Sequence, residues 1–170
     1  MVRIYDFCGV RPERSAAQSI AAVPYDVVTA DEARAIIAGN PKSFLRVSRP
    51  DAELPGLAPG DPRIYQRAYE NFSAFVRDGR MIRDPVPSFY LYEVLQGRDR
   101  FLGLCCCLDV EEYRNNSIRR HEQTRYDKEE DRTRHIEAVK AHNGPVVLLY
   151  EENNDIQSIL NPFSMLCPDP

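Results

Sequence analysis

The chain has no apolar run of about eighteen residues, so the sequence offers no membrane-spanning helix. Its opening residues, Met1 to Arg14, lack the apolar core of a secretory signal. Nucleotide-loop and hydrolase signatures are missing too: there is no Walker A loop, no GxGxxG and no GxSxG. No HExxH occurs, nor any carboxylate–histidine triad at ligand spacing. His135 and His142 are seven apart, and His121 is at ligand spacing with neither, so no metal site is expected. The net charge of −4 has the wrong sign for general nucleic-acid affinity. Internal repeats and low-complexity segments are absent.

Cysteine is present but poorly placed for bridges or metal. Three of the five are consecutive (Cys105, Cys106, Cys107), while Cys8 and Cys167 stand alone. The total is odd, adjacent cysteines bridge poorly, and CxxC spacing is lacking. The expectation is small buried strand residues in a reducing, cytoplasmic setting. Strand alternation would put Cys105 and Cys107 on one buried face and Cys106 on the other.

What is there suits one domain, or half of a larger one: 170 residues, 43% of them apolar, punctuated by 13 prolines. Residues 1–28 read as irregular or short-strand. Thr29 with Glu32 forms a capping box opening a helix, which Gly39 and Asn40-Pro41 stop. Ser43–Val47 reads as a strand, and residues 49–60, rich in proline and glycine, as a mobile surface loop. Asp61-Pro62 caps a helix carrying Ile64, Tyr65, Ala68, Phe72, Phe75 and Val76 at helical spacing, ended by Gly79. Phe89–Val94 and Phe101–Leu108 flank Gln96-Gly97-Arg98 as a hairpin, with a loop longer than the tightest class. Asp109–Tyr113 reads as a short helix, and another runs from about Asp127 to His142. Val146–Tyr150 reads as a central strand, and Asp155–Leu160 as a short helix. The fold class is α+β: a mixed or antiparallel sheet with a β-hairpin, packed by three to four helices.

The most charged stretch, Ser117–His135, holds both signs in near balance, which excludes a one-sided polyanion tail. Arg119, Arg120 and Arg125 have the forked donors that grip phosphate or carboxylate. Glu122 lies among them with His121 adjacent. Nearby guanidinium charge favours the ionised carboxylate, suited to orienting a hydroxyl. The competing reading is a set of internal ion pairs fixing a loop. Asp127–Asp131 with Arg132 and Arg134 reads as a solvated helix face that complements the helix dipole. Pro24-Tyr25-Asp26 either aims Asp26 at the mouth of a site or makes an ordinary turn.

Four phrases resemble the bacterial and archaeal domain-of-unknown-function 1015 family: VPYDVV (Val23–Val28), NPKSFLRVSRP (Asn40–Pro50), IRRHEQTRYDKEEDRTRH (Ile118–His135) and NGPVVLLY (Asn143–Tyr150). The likeness spans roughly residues 1–150 in order; residues 151–170 form a less clearly matched tail. The resemblance implies a ParB-like protein with a ParB/sulfiredoxin-like relationship. It also implies a longer typical member, whose later half carries a DGHHR-type motif similar to the phosphate box of free-serine kinases. This chain has no such motif, so it resembles an N-terminal half.

Two functions follow as expectations. The first is part of a phosphate- or nucleotide-utilising enzyme, a small-molecule (free amino acid) kinase. There Glu122 would be the catalytic residue, and Arg119, Arg120, His121, Arg125, Tyr25 and Asp26 would line the phosphate or substrate site. Nucleotide and magnesium would act in the full-length protein, since phosphoryl transfer is positioning and charge neutralisation. The second is a non-catalytic binding or regulatory module whose charged segment docks a partner: the missing half or another copy. In either case half a fold should expose apolar surface, at the hairpin or at Val146–Tyr150.

Overall fold

A computed structural model describes residues 2–121, 123–151 and 153–164. The chain is α+β, with its elements in the order β1 (Ile4–Tyr5), β2 (Val10–Pro12), α1 (Ala17–Ile20), α2 (Ala30–Gly39), α3 (Leu45–Ser48), α4 (Pro62–Arg77), β3 (Met81–Arg83), β4 (Tyr90–Gln96), β5 (Asp99–Cys105), β6 (Cys107–Leu108), α5 (Val110–Arg114), α6 (Tyr126–Val139) and α7 (Asn154–Ser164). Among the described residues the strands form three antiparallel pairs, β1–β6, β2–β3 and β4–β5. The sequence leads one to expect three to four helices. The short helix expected at Asp109–Tyr113 is α5. The helices with no sequence counterpart, α1 and α3, are only four residues long, too short for a periodic signal. None of the described helices is long and apolar enough to cross a membrane.

The chain divides into two compact units. One gathers the described residues of 10–83 and 124–144. Its helices start where the sequence says. Thr29 Oγ1 accepts from the Glu32 backbone while the Glu32 carboxylate accepts from the Thr29 backbone, closing the capping box of α2. Asp61 caps α4, with Pro62 in its first turn. Two small apolar clusters lie beneath. Ile20, Val47, Phe75 and Met81 form one, and Ala33, Leu45 and Ala52 the other.

Two expectations fail in this unit. Ser43–Val47 is no strand: Phe44 leads into α3, and Leu45 and Val47 each enter a cluster. A five-residue apolar run fits a buried helical turn as well as a strand, and packing decides. Residues 49–60 are not loop throughout. Pro50–Glu53 form a 3-10 turn with Pro50 and Ala52 buried. Glu53 accepts from Arg46 at 2.6 Å and from the Asn71 amide at 2.8 Å, pinning the turn between α3 and α4.

The second unit gathers the described residues of 1–9, 84–123 and 145–164. Its main element is the β4–β5 hairpin. Gln96 pairs with Asp99, so Gly97-Arg98 is a two-residue turn, tighter than expected, and Gly97 takes φ 64°. Near the chain start, the Tyr90 hydroxyl accepts from the Gly9 backbone and donates to Asp84, each at 2.8 Å. Val146–Tyr150 is not a strand. Those residues pair with nothing in the described sheets, and Val147 and Leu149 are 83% and 91% exposed. A continuous apolar run signals a central strand only where a sheet receives it.

The cysteine expectation also needs correction. Cys106 lies between β5 and β6 rather than within a strand, so alternation does not run through the triplet. Cys105 and Cys106 are half-buried, Cys107 is exposed, and all three are free, as is Cys8.

Candidate functional site

The strongest polar constellation lies in the helical unit, where parts of three motif phrases meet. Arg49, just after α3, is its hub. Its Nε and one terminal nitrogen grip both oxygens of Asp51, at 3.0 and 2.9 Å. Its other terminal nitrogen donates to the Tyr25 carbonyl at 3.0 Å and to the Val28 carbonyl. One guanidinium therefore closes the turn that carries Pro24-Tyr25-Asp26. The hydrogen bond to Asp51 holds the Arg49 pKa above its ordinary value. Burial opposes this, and the charges of Asp51 and Asp131 reinforce it.

From α6, Asp131 and Arg132 reach the same place. Arg132 donates twice to Asp131 Oδ2, at 3.1 and 2.6 Å, and its guanidinium carbon stands 4.5 Å from the Tyr25 ring centroid. The Tyr65 hydroxyl, from α4, donates to Asp131 Oδ1 at 2.9 Å. Burial pushes the Asp131 carboxyl up, but the bond and charge of Arg132 and the Tyr65 hydroxyl leave it below the ordinary value. Burial, then Asp131, pushes the Tyr65 phenol up, so it stays a neutral donor.

One turn further on, His135 is 1% exposed, with Nε2 2.8 Å from the Val47 carbonyl. A carbonyl only accepts, so Nε2 carries the proton, and Nδ1 is buried without a partner. Burial lowers the His135 pKa, keeping the ring neutral. Among the described residues no group of three or more histidine, cysteine or carboxylate side chains is placed to hold a metal.

In this constellation charge is already matched: Asp51 answers Arg49 and Asp131 answers Arg132. What it does chemically is hold the Tyr25 turn, the α3 end and α6 in one arrangement.

The residues expected to carry chemistry are placed differently. Glu122 lies outside the described residues. Arg119, Arg120 and His121 are exposed in the segment between α5 and α6. The Arg120 guanidinium carbon stands 4.8 Å from the Tyr113 ring centroid. Neither Arg119 nor Arg120 has a carboxylate partner among the described residues, whereas Arg125 is gripped by Asp127 at 3.1 and 2.8 Å. Tyr25 joins the Arg49–Arg132 constellation. Asp26 is exposed in a turn closed by the Val27 backbone on the Pro24 carbonyl, at 3.3 Å.

The sequence places Asp131 and Arg132 on a solvated helix face and Tyr65 in the apolar stripe of α4, weighs His135 only as a metal ligand, and gives Arg49 no role. For Asp131 and Arg132 the structure corrects this, since both turn inward to Tyr65 and Tyr25. A signal existed for part of the set. Asp131, His135 and Val139 follow at i, i+4, i+8 and so share one face of α6, and Val139 marks that face as the inner one. Arg49 carries no such local signal.

No curated protein and no solved structure matches the chain. The family described as a protein of unknown function (DUF1015) matches it over residues 4–168, and the chain belongs to that family.

Proposed function

We propose that the chain is the anion-recognising part of a ParB-like, phosphate-utilising enzyme, acting on a small molecule with a transferable or bound phosphate. The observation behind this is how the arginines divide. Arg49, Arg125, Arg132 and Arg134 each hold a carboxylate, on Asp51, Asp127, Asp131 and Glu130. Arg119 and Arg120, beside His121, are exposed and hold none among the described residues. Guanidinium groups without an internal counter-charge are the ones free to bind phosphate bidentately. In this reading Glu122 orients or deprotonates the acceptor hydroxyl, and magnesium with a nucleotide acts in the longer protein. The Arg49–Arg132 constellation holds the middle of α6.

A second reading, a binding module whose charged segment docks a partner, draws on the exposure of Val146, Val147, Leu149 and Tyr150. Titration calorimetry with pyrophosphate and with magnesium nucleotide separates the two. The anion reading expects saturable binding weakened by about 1.5–3 kcal/mol in Arg119→Ala or Arg120→Ala, the range for hydrogen bonds to charged groups. It also expects no change in Arg134→Ala. Absence of anion binding in the unaltered chain would leave the docking module.

A further inference from the structure

Two surfaces of this chain, neither used above, are complementary in charge, and each carries exposed apolar side chains. The first is an open groove of about 360 Å³ along α4 and the end of α6. Tyr69, Phe72 and Val76 line it from α4 and Val139 from α6, with Arg77 and Lys140 at its rim. Tyr69 and Val76 remain 43% and 40% exposed. Lys140 closes α6 in the left-handed conformation, φ 59°, and makes no ion pair among the described residues. Among the described residues Arg77 has only a 3.5 Å ionic contact, with its exposed neighbour Asp78. The groove is thus apolar within and basic at the edge.

The second surface is α7. Ile156, Ile159 and Phe163 recur at i, i+3, i+7 and so form one stripe. They are 38%, 63% and 57% exposed, while Leu160 beside them is buried at 7%. Asp155 stands in the first turn, and Glu151 precedes the helix. This helix is apolar along one stripe and acidic at its start. Apolar anchors at this spacing are what a helix lays into a hydrophobic groove.

We propose that α7 of a second copy of this chain docks in the α4–α6 groove, with its acidic start meeting the Arg77–Lys140 rim. The argument for a second copy over an unrelated partner is this complementarity: the chain carries both the basic-rimmed groove and an acidic, apolar-striped helix. Where each copy lends α7 to the other's groove, the pair is two-fold symmetric and its two contacts are equal.

Sedimentation velocity over a dilution series tests this on the full chain. The unaltered protein should dimerise, and added salt should weaken the dimer. Val76→Glu in the groove and Ile159→Glu on α7 alter exposed side chains, so both variants should keep the parent circular dichroism. Each should raise the dimer dissociation constant by roughly tenfold or more, as loss of a central apolar anchor does. Mixing the two variants is the decisive step. One copy brings an intact groove and the other an intact α7, so a heterodimer with one working contact should form from two weak self-associators. A monomer at every concentration overturns the proposal, as does a dimer indifferent to both substitutions or a mixture no stronger than either variant. Binding of an unrelated acidic peptide in the groove, with no response to a peptide spanning residues 154–164, would assign the groove to another protein and overturn it too.

Discussion

The phenol of Tyr65 donates to Oδ1 of Asp131 at 2.9 Å, joining α4 to α6 across 66 residues of chain. Both partners are otherwise committed: Tyr65 is buried, and Asp131 gives its other oxygen to Arg132. Tyr65→Phe keeps the packing and removes only the hydroxyl. The expected loss is about 1–2 kcal/mol in urea unfolding, near the low end for bonds to a charged acceptor because water still reaches Asp131. In an Asp131→Asn background the same change should cost less, and equal losses in both backgrounds would show that the bond contributes nothing.

Acid should loosen the helical unit in two steps. Burial holds His135 below its ordinary 6.5, so the folded state binds fewer protons there than the unfolded chain. Its contribution is complete above 6.5 and is lost as pH falls through 6.5 toward the lower folded value. Asp131 sits below its ordinary 3.8, so its contribution is present above 3.8 and lost below it. Melting curves from about pH 8 to about pH 3 should show both losses, and His135→Gln should remove the first while leaving the second. A melting temperature flat across the first window would refute the assignment.

Gly9→Ala should be costly for steric reasons alone. A Cβ there would stand 2.7 Å from the Tyr90 hydroxyl oxygen and 2.8 Å from Cζ, closer than packed atoms allow. The ring is held by bonds to Gly9 and Asp84, so it cannot swing aside freely. Overpacking of this kind typically costs about 1–3 kcal/mol. Chemical denaturation measures it, and a neutral result would mean that the ring moves.

Arg49→Lys retains the charge but loses the fork. Asp51 would keep a single contact, and the carbonyls of Tyr25 and Val28 would lose their shared donor. The expected loss is about 2–3 kcal/mol, the value of one charge-assisted bond and part of another. Amide exchange should quicken over residues 25–29 and stay unchanged in the β4–β5 hairpin.

The sequence exposed this fold where the cause is local. The Thr29–Glu32 capping box, the Asp61-Pro62 start and the Gly97 turn are each written within four residues, and each lies where expected. Ser43–Val47 and Val146–Tyr150 were misread because apolar runs of five do not say which surface receives them. One enters two small clusters as a helical turn, and the other joins no described sheet. The site divides the same way. Tyr25 was legible as a motif residue. Its partners Arg49 and Arg132 lie 24 and 107 positions along the chain, and no local pattern links residues so far apart.

Arg49 ties the 25–28 turn and Asp51 together with one side chain, and that shapes how the sequence can drift. Losing the arginine alone strands Asp51 and two carbonyls; losing Asp51 alone strands a half-buried cation. Neither intermediate is comfortable, so the tolerated route replaces both together, with a turn at 24–28 that no longer needs an outside donor. Relatives of this chain should therefore change positions 49 and 51 as a pair.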